Sequence, residues 1–269
     1  MKKLNKTIGL IGCGNMGSAI LMGLLRNQIS RGSQIFVYDS IRSKMKSLSR
    51  ICRANTAQSN RDLVRQAQVI LLAVKPQDIE PVAREVQAYL RSSQTVISIL
   101  AGTPIQKIRR IFGNRAAIVR AMPNLGAQVG EAVTVVTSSS RLALTCAETI
   151  FSGCGKVVRL SEKYFDLVTA VSGSGPAYFF LIMELLARAA RSGGLSEKAA
   201  RLLVVQTAVG AAKLAQGSPY LPGELRKMVT SKKGTTEAAI KFLFQKQFPK
   251  IFSTAIDRAI RRACELSKS

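Results

Sequence analysis

Two short clusters of glycine and hydroxylated residues are the segments of this sequence best suited to holding a small anion. The first is Ser172-Gly173-Ser174-Gly175-Pro176-Ala177-Tyr178, and the second is Val229-Thr230-Ser231-Lys232-Lys233-Gly234-Thr235-Thr236. Each precedes a strongly helical run, and free backbone N–H groups at a helix N-terminus hold a carboxylate or phosphate well. Taken alone, the first cluster fits a kinked helix in a core equally well. In the second, a threonine acting only as an N-cap is the simpler interpretation.

A third cluster, Gly12-Cys13-Gly14-Asn15-Met16-Gly17, has the G-x-G-x-x-G spacing of a dinucleotide-binding turn. It follows a predicted strand and opens a predicted helix, as that motif requires. In such a turn the first glycine permits the tight bend, the second lets the pyrophosphate approach the backbone, and the third lets the helix pack on the strand. Asp39 stands about twenty residues further on, where an acidic residue binds a ribose hydroxyl. The alternative is a turn between strand and helix that binds nothing.

The residues around Asp39 leave the choice of cofactor open. The Asp39 carboxylate favours NAD, because it would accept a hydrogen bond from the ribose 2′-hydroxyl of that cofactor. Ser40, Arg42 and Lys44 follow directly and would hold the 2′-phosphate of NADP instead. With the two anion-binding clusters, the pattern predicts an enzyme that brings a nicotinamide cofactor to a small carboxylate substrate.

The elements that must position these residues divide the chain into two regions. Residues 1–160 alternate short apolar runs with amphipathic helical patterns, which is typical of a doubly wound parallel sheet. Predicted strands are 7–11, 34–38, 69–74, 95–99, 117–121 and 132–136, and predicted helices are 16–28, 43–50, 61–66 and 79–90. Residues 161–269 read as helix to the end. We therefore expect an α/β fold, with a Rossmann-like dinucleotide-binding domain followed by an all-α domain that buries its surface against a second copy.

Val74-Lys75-Pro76 ends one of these strands at its carboxyl end, the edge where such sheets bind ligands. Proline stops the strand there and turns the backbone towards the cofactor. Without the other motifs, the segment would be read only as a strand terminator.

Composition excludes several classes of chemistry. The chain of 269 residues has no histidine, which removes Ser-His-Asp and Cys-His catalysis and argues against a transition-metal site. Five cysteines without a C-x-x-C pair fit reduced thiols in a cytoplasmic protein.

Neither a cleaved leader nor a membrane span is expected, because glycines interrupt the first apolar stretch and no later stretch looks long enough. The net charge of +25 is scattered, so we interpret it as a solvated surface that attracts NADPH and a carboxylate rather than as a nucleic-acid site.

Taken together, the motifs resemble those of the pyrroline-5-carboxylate reductases over essentially the whole chain. The resemblance runs from the glycine turn through Val74-Lys75-Pro76, Ala101-Gly102 and Arg120-Ala121-Met122-Pro123-Asn124 to the two hydroxylated clusters. It implies reduction of the cyclic imine 1-pyrroline-5-carboxylate to L-proline, the last step of proline biosynthesis, with NADPH favoured, NADH possible and no metal. It also implies a homodimer interlocked through the helical domain, possibly assembled into a ring of dimers.

The resemblance assigns roles by position. Thr236 corresponds to the hydroxyl near the imine nitrogen, and the loop from Ser231 to Thr236 corresponds to the loop that holds the substrate carboxylate. The expected substrate-binding residues are Ser231, Lys232, Lys233, Gly234, Thr235, Thr236, Gly175 and Pro176. The expected cofactor-binding residues are Gly12, Gly14, Asn15, Met16, Gly17, Asp39, Ser40, Arg42, Asn60, Ala73, Val74, Lys75, Pro76, Ala101 and Gly102.

One departure from the family pattern bears on the substrate loop. The family has Pro-Gly-Gly or Lys-Gly-Gly where this chain has Lys232-Lys233-Gly234, and a lysine in place of a glycine is strained if its φ is positive.

No strong general acid is apparent, since neither Glu184 nor Tyr178 is an obvious proton donor, so we expect solvent to supply the proton. The alternative functions are a reductase of this architecture acting on another imine or a hydroxyacid, and a non-catalytic nucleic-acid binder.

Overall fold

The structure is a computed structural model that describes residues 3–268. Its eight strands form one sheet in the order β3-β2-β1-β4-β5-β6-β7-β8. They are β1 Ile8–Ile11, β2 Ile35–Tyr38, β3 Asn55–Thr56, β4 Val69–Leu72, β5 Thr95–Ser98, β6 Ala117–Met122, β7 Ala132–Thr137 and β8 Gly155–Arg159. The helices are α1 Asn15–Arg26, α2 Arg42–Cys52, α3 Asn60–Gln66, α4 Ile79–Val86, α5 Ile105–Phe112, α6 Arg141–Ser152, α7 Phe165–Val168, α8 Gly175–Ser192, α9 Glu197–Gly217, α10 Pro222–Met228, α11 Thr235–Gln245 and α12 Phe248–Lys268.

Alternate residues of the central strands supply two separate cores, one on each face of the sheet. In β4, Val69 and Leu71 belong to the core that includes α1 and α6. Ile70 and Leu72 belong to the core that includes α3, α4 and α5. A strand with period-two side chains and helices on both faces must be apolar throughout, which explains the unbroken run Val-Ile-Leu-Leu. The prediction of a doubly wound α/β domain is therefore confirmed.

One part of the sheet differs from the parallel arrangement that the sequence predicts. β6 and β7 pair antiparallel, with Ala121 opposite Val136. The connection between them is too short for a crossover helix and holds only a 3₁₀ turn, Leu125–Val129, so the chain reverses directly. The pattern also missed β3 and β8 at the sheet edges, where a two-residue strand and a strand with charged residues give little signal.

The chain forms two compact units. One comprises the described chain up to Ser174 together with the segment from Ala259 onwards, and the other is Gly175–Arg258. The predicted division at residue 160 rests on composition rather than on compactness, so the assignment of 1–160 and 161–269 as domains remains a prediction. In the second unit α8 packs against α9, and Tyr178 meets Phe252 of α12 edge-on with ring centroids 5.9 Å apart.

The apolar helices of the second unit are largely uncovered. Gly175 is the only buried residue of α8, and in α9 only Ala200 and Val204 are buried. Within the continuous helical stretch Glu162–Ser192, an 18-residue window reaches a mean hydropathy of 1.3, long and apolar enough to cross a membrane. The expectation that no segment approaches a span is therefore wrong by length and composition. A helix that another protein chain covers passes the same test, so this finding is weak evidence for a membrane.

Candidate active site

The glycine turn after β1 is built against the ends of two neighbouring strands. Gly12 has a φ of +99°, and a Cβ there would lie 2.6 Å from the carbonyl oxygen of Ala73, which follows β4. Its N–H donates to the carbonyl of Tyr38 at the end of β2. Gly17 brings α1 close to β1, since a Cβ at that position would lie 2.6 Å from the Gly12 carbonyl oxygen. Only glycine fits these two positions.

The start of α1 is open to a ligand. Gly14 is the N-cap and supplies no side-chain cap, and the first turn of the helix holds no acidic residue. A Cβ built on Gly14 would meet no heavy atom within 4 Å, so there is room for a group to approach the backbone. Asn15 is exposed and Met16 half-buried at this helix start. An uncapped helix N-terminus with space before it fits the pyrophosphate of a dinucleotide.

Asp39 holds the glycine turn in place. Its Oδ2 accepts a 2.7 Å hydrogen bond from the Cys13 N–H, and its Oδ1 accepts one of 2.8 Å from the Ile41 N–H. Both carboxylate oxygens therefore serve the backbone, although each retains further acceptor capacity for a ribose hydroxyl. Burial, with the nearby charges of Asp39 and Cys52, raises the pKa of the Cys13 thiol to about 12, which keeps that thiol neutral.

Cationic and hydroxylated side chains begin directly after Asp39, at the start of α2. Arg42 is the first residue of that helix, and it is exposed together with Ser40 and Lys44. The first turn of α2 contains no acidic residue. This end of the sheet therefore offers donors and positive charge suited to a 2′-phosphate.

Asn60 is the first residue of α3 and has an unpaired buried acceptor. Its side chain is fixed because Nδ2 donates to Glu85 Oε2 at 2.9 Å. Its Oδ1 is buried without a hydrogen-bond partner, and the residue is only 5% exposed. An orphaned acceptor of this kind costs stability unless a ligand or a water satisfies it, so Asn60 fits a cofactor contact.

The loops after β4 and β5 complete the same edge of the sheet. Ala73 and Val74 are half-buried, while Lys75 and Pro76 are exposed, with Pro76 opening a 3₁₀ turn. Ala101 is half-buried and Gly102 is buried with a φ of +64°. Because β1, β4 and β5 are parallel neighbours, their carboxyl ends and the loops that follow them lie at one edge.

The first hydroxylated cluster does not form the free helix N-terminus predicted from the sequence. Thr169–Gly173 is a π-helical turn that runs directly into α8, and the Ser174 N–H donates to the Thr169 carbonyl at 2.8 Å. Pro176 lacks an N–H and would clash with the preceding turn of a regular α-helix, and a widened turn relieves that conflict. Ser174 is therefore inside a continuous helix, so the kinked-helix alternative describes this segment.

Residues at and just after the end of β6 contact this π-helical turn and were singled out in the sequence only through the family resemblance. Asn124 Nδ2 donates to Ser172 Oγ at 3.5 Å, and Asn124 Oδ1 is buried without a partner. The methyl carbon of Met122 would lie 2.5 Å from a Cβ at Gly173, which explains the glycine there. The contact joins positions 48 apart in sequence, so no local pattern predicts it.

The second hydroxylated cluster does form an uncapped helix start. Gly234 is the N-cap of α11, and no side chain caps that helix. Thr235 and Thr236 are its first two residues, so neither is an N-cap and the helix begins two residues before the predicted start at Glu237. Thr236 is half-buried, whereas Ser231, Lys232 and Thr235 are exposed. First-turn N–H groups of this kind suit a carboxylate.

The backbone of this loop is strained at Lys233. Lys233 has a φ of +58°, the conformation in which a lysine is disfavoured relative to glycine. Its N–H donates to Glu237 Oε2 at 2.6 Å, and the Gly234 N–H donates to the Ser231 carbonyl at 3.1 Å. The Glu237 carboxylate thus stands in the first turn of α11, bonded to the backbone of the loop that carries Lys232 and Lys233.

The residues described, 3–268, contain no group of three or more histidine, cysteine, aspartate or glutamate side chains that could hold a metal ion. The candidate residues described above offer backbone N–H groups, hydroxyls, side-chain amides and cations, which bind anionic ligands.

A doubly wound sheet with an open glycine turn at its carboxyl edge defines the class of dinucleotide-binding proteins. Comparison with protein-family models agrees. The model described as "NADP oxidoreductase coenzyme F420-dependent" matches residues 7–102, and the model described as "Pyrroline-5-carboxylate reductase dimerisation" matches residues 162–266. The pyrroline-5-carboxylate reductase of Methanosarcina acetivorans is 36% identical over 267 residues, 98% of this chain and 99% of that protein.

Solved structures show the same relationship. A pyrroline-5-carboxylate reductase from Coxiella burnetii is 36% identical with a TM-score of 0.90, covering 99% of this chain and 100% of the other. The Plasmodium falciparum enzyme, solved with NADP bound, is 30% identical with a TM-score of 0.89 over 98% and 99% of the two chains. The chain belongs to the pyrroline-5-carboxylate reductase family.

Proposed function

We infer that this protein reduces 1-pyrroline-5-carboxylate to L-proline with NAD(P)H, the reaction that gives its family its name. The observation that carries this conclusion is the open glycine turn at Gly14, in a chain that matches pyrroline-5-carboxylate reductases from end to end. Two further features agree, since Asn60 offers an unpaired acceptor and α11 offers an uncapped helix start.

The proposed chemistry asks little of the protein beyond positioning. The imine carbon is electrophilic, and NADPH, when bound, supplies the hydride. Holding two reactants in a productive geometry can lower a barrier by about 7–11 kcal/mol. The first-turn amides of α11 hold the substrate carboxylate, and the Thr236 hydroxyl donates a hydrogen bond to the ring nitrogen and orients it. The final proton comes from solvent.

NADPH is the preferred cofactor in this proposal. Both oxygens of Asp39 already accept backbone N–H groups, which reduces their availability for a ribose hydroxyl. Arg42, Ser40 and Lys44 supply cation and hydroxyl at the adjacent helix start, where a 2′-phosphate is stabilised. Arg42 is the main determinant, because a guanidinium can bind a phosphate through two hydrogen bonds.

The proposal also covers how the protein assembles and where in the cell it lies. The exposed apolar helices of the dimerisation region, and its match to residues 162–266, support a homodimer formed through that region. Further association into a ring of dimers and a cytoplasmic location complete the proposal. The partners are a second copy and a small-molecule substrate, with no membrane and no nucleic acid involved.

The deciding experiment follows NADPH and NADH oxidation by absorbance at 340 nm with purified protein. Pyrroline-5-carboxylate is compared with a panel of other cyclic imino acids and hydroxyacids. Oxidation with proline as product establishes the proposal and gives the cofactor preference. Faster turnover of another imine or a hydroxyacid would assign a different reductase. A folded dimer that oxidises neither cofactor, but is retained on DNA with a steep salt dependence, would overturn the proposal entirely.

A further inference from the structure

The loop between β5 and α5, residues 99–104, is held at several points. Gly102 and Thr103 within it are buried, and the Thr103 hydroxyl donates to the Ala101 carbonyl at 3.2 Å. At the far end, the Ile105 N–H donates to Glu162 Oε1 at 2.7 Å. Glu162 in turn pairs with the buried Arg120 at 3.1 Å. The β5–α5 loop is therefore fixed to the first turn of the helix that follows β8.

The end of the C-terminal helix lies directly against this loop. A Cβ at Gly102 would lie 2.8 Å from Leu266 Cβ and 3.0 Å from the Leu266 carbonyl carbon and oxygen. The contact is therefore between the loop backbone and the backbone of the C-terminal segment, defined here as residues 263–268. Ala263 is 5% exposed, so the segment is packed rather than frayed at this point.

A hydrogen bond fixes the C-terminal segment to the same helix that fixes the loop. Ser267 Oγ donates to Asp166 Oδ1 at 2.7 Å, across 101 positions of sequence. Glu162 opens the 3₁₀ turn Glu162–Tyr164, which leads directly into α7, where Asp166 is the second residue. This short segment therefore holds the loop through Glu162 and the C-terminal segment through Asp166, and the C-terminal segment closes over Gly102.

We propose that the C-terminal segment is a positioning element for the cofactor, acting through Gly102 and anchored by the Asp166–Ser267 hydrogen bond. The inference rests on the proposed role of Ala101-Gly102 in cofactor binding. When the anchor is released, the β5–α5 loop loses its outer support and its backbone moves relative to the other loops at the carboxyl edge. Cofactor binding weakens as a result, while the substrate loop of α11 is untouched.

The test compares four variants of the full protein with the wild type. They are Ser267→Ala, Asp166→Ala, the double variant, and a chain that ends after Glu265. The matched control is Ser253→Ala, because Ser253 lies on the same helix and its hydroxyl bonds only to the nearby Lys250 carbonyl. Calorimetry measures the Kd of NADP⁺, and initial rates give kcat and the KM values for NADPH and the imine. Thermal unfolding verifies that each variant is folded.

The expected result is a cofactor-specific loss. Each single variant raises the Kd of NADP⁺ and the KM of NADPH about fivefold, and the shortened chain raises both about tenfold or more. The KM of the imine stays within about twofold of the wild-type value. The double variant resembles Asp166→Ala, because that change already removes the partner of Ser267. Unchanged NADP⁺ affinity in folded variants would overturn the inference, as would equal losses for NADPH and the imine. Failure of the wild type to bind NADP⁺ would instead refute the proposed function.

Discussion

At the scale of single residues, Thr236 has the most direct part in the proposed reaction. It is half-buried at the second position of α11, beside a helix start that no side chain caps. A hydroxyl there can donate to the ring nitrogen while the neighbouring amides hold the carboxylate. The exposed Thr235 precedes it in the same turn.

Replacing Thr236 by alanine is expected to lower kcat/KM for the imine about tenfold or more, because a hydrogen bond to the reacting nitrogen is lost. Thr236→Ser keeps the hydroxyl and is expected to retain most of the activity. Thr145→Ala, at an exposed threonine of α6 outside the substrate loop, is the control. Steady-state kinetics at saturating NADPH measures all three, and an unchanged value in Thr236→Ala would remove this residue from the mechanism.

Lys233 combines a strained backbone with a charge beside the carboxylate loop. The Lys233→Gly change relieves about 1 kcal/mol of strain in the left-handed backbone, which stabilises the fold. It also raises the conformational entropy of the unfolded chain, which destabilises the fold by a similar free energy, so the free energy of unfolding changes little. The KM of the imine is expected to rise severalfold and to depend less on salt, because a cation near the anion is lost. Gln247→Gly is the matched control: its φ is +56°, and it lies between α11 and α12. An equal effect on KM in both variants would show that strain alone matters.

At the scale of elements, the start of α2 is expected to decide between the two cofactors. Arg42→Ala should raise the KM of NADPH about tenfold and leave that of NADH nearly unchanged, because only NADPH carries the 2′-phosphate. Lys46→Ala, an exposed cation one turn further along the same helix, is the control. The ratio of kcat/KM for the two cofactors is the measurement. A loss shared equally by NADPH and NADH would assign Arg42 to another part of the cofactor or to folding.

The elements also show which features a sequence can specify. The glycine turn was predictable because its requirements are local: a strand, a positive φ at Gly12 and an open helix start. The π-helical turn before Pro176 was not, since it depends on whether two helical runs join into one. Contacts such as Arg120 with Glu162 and Gly102 with Leu266 join distant positions and appear only once the sheet is assembled.

At the scale of the whole molecule, the exposed apolar helices require a covering partner. Leu202 of α9 is 66% exposed and Phe179 of α8 is 70% exposed, inside the region that matches the dimerisation domain. Contiguous apolar surface of this kind is rare in monomers and marks an interaction surface. The net charge of +25 works against association through self-repulsion, so apolar burial must outweigh it.

Leu202→Glu is therefore expected to break the homodimer, because it places a carboxylate in each half of an apolar interface, at a cost of several kcal/mol. The matched control is Leu142→Glu, which changes the same residue type at a leucine that is 86% exposed on α6, outside the dimerisation region. Light scattering with size-exclusion chromatography should give a dimer or larger assembly for the wild type and Leu142→Glu, and a monomer for Leu202→Glu. If the dimer is the active form, the monomeric variant should also lack reductase activity. An unchanged mass for Leu202→Glu would place the dimer contact on another face of the helical unit.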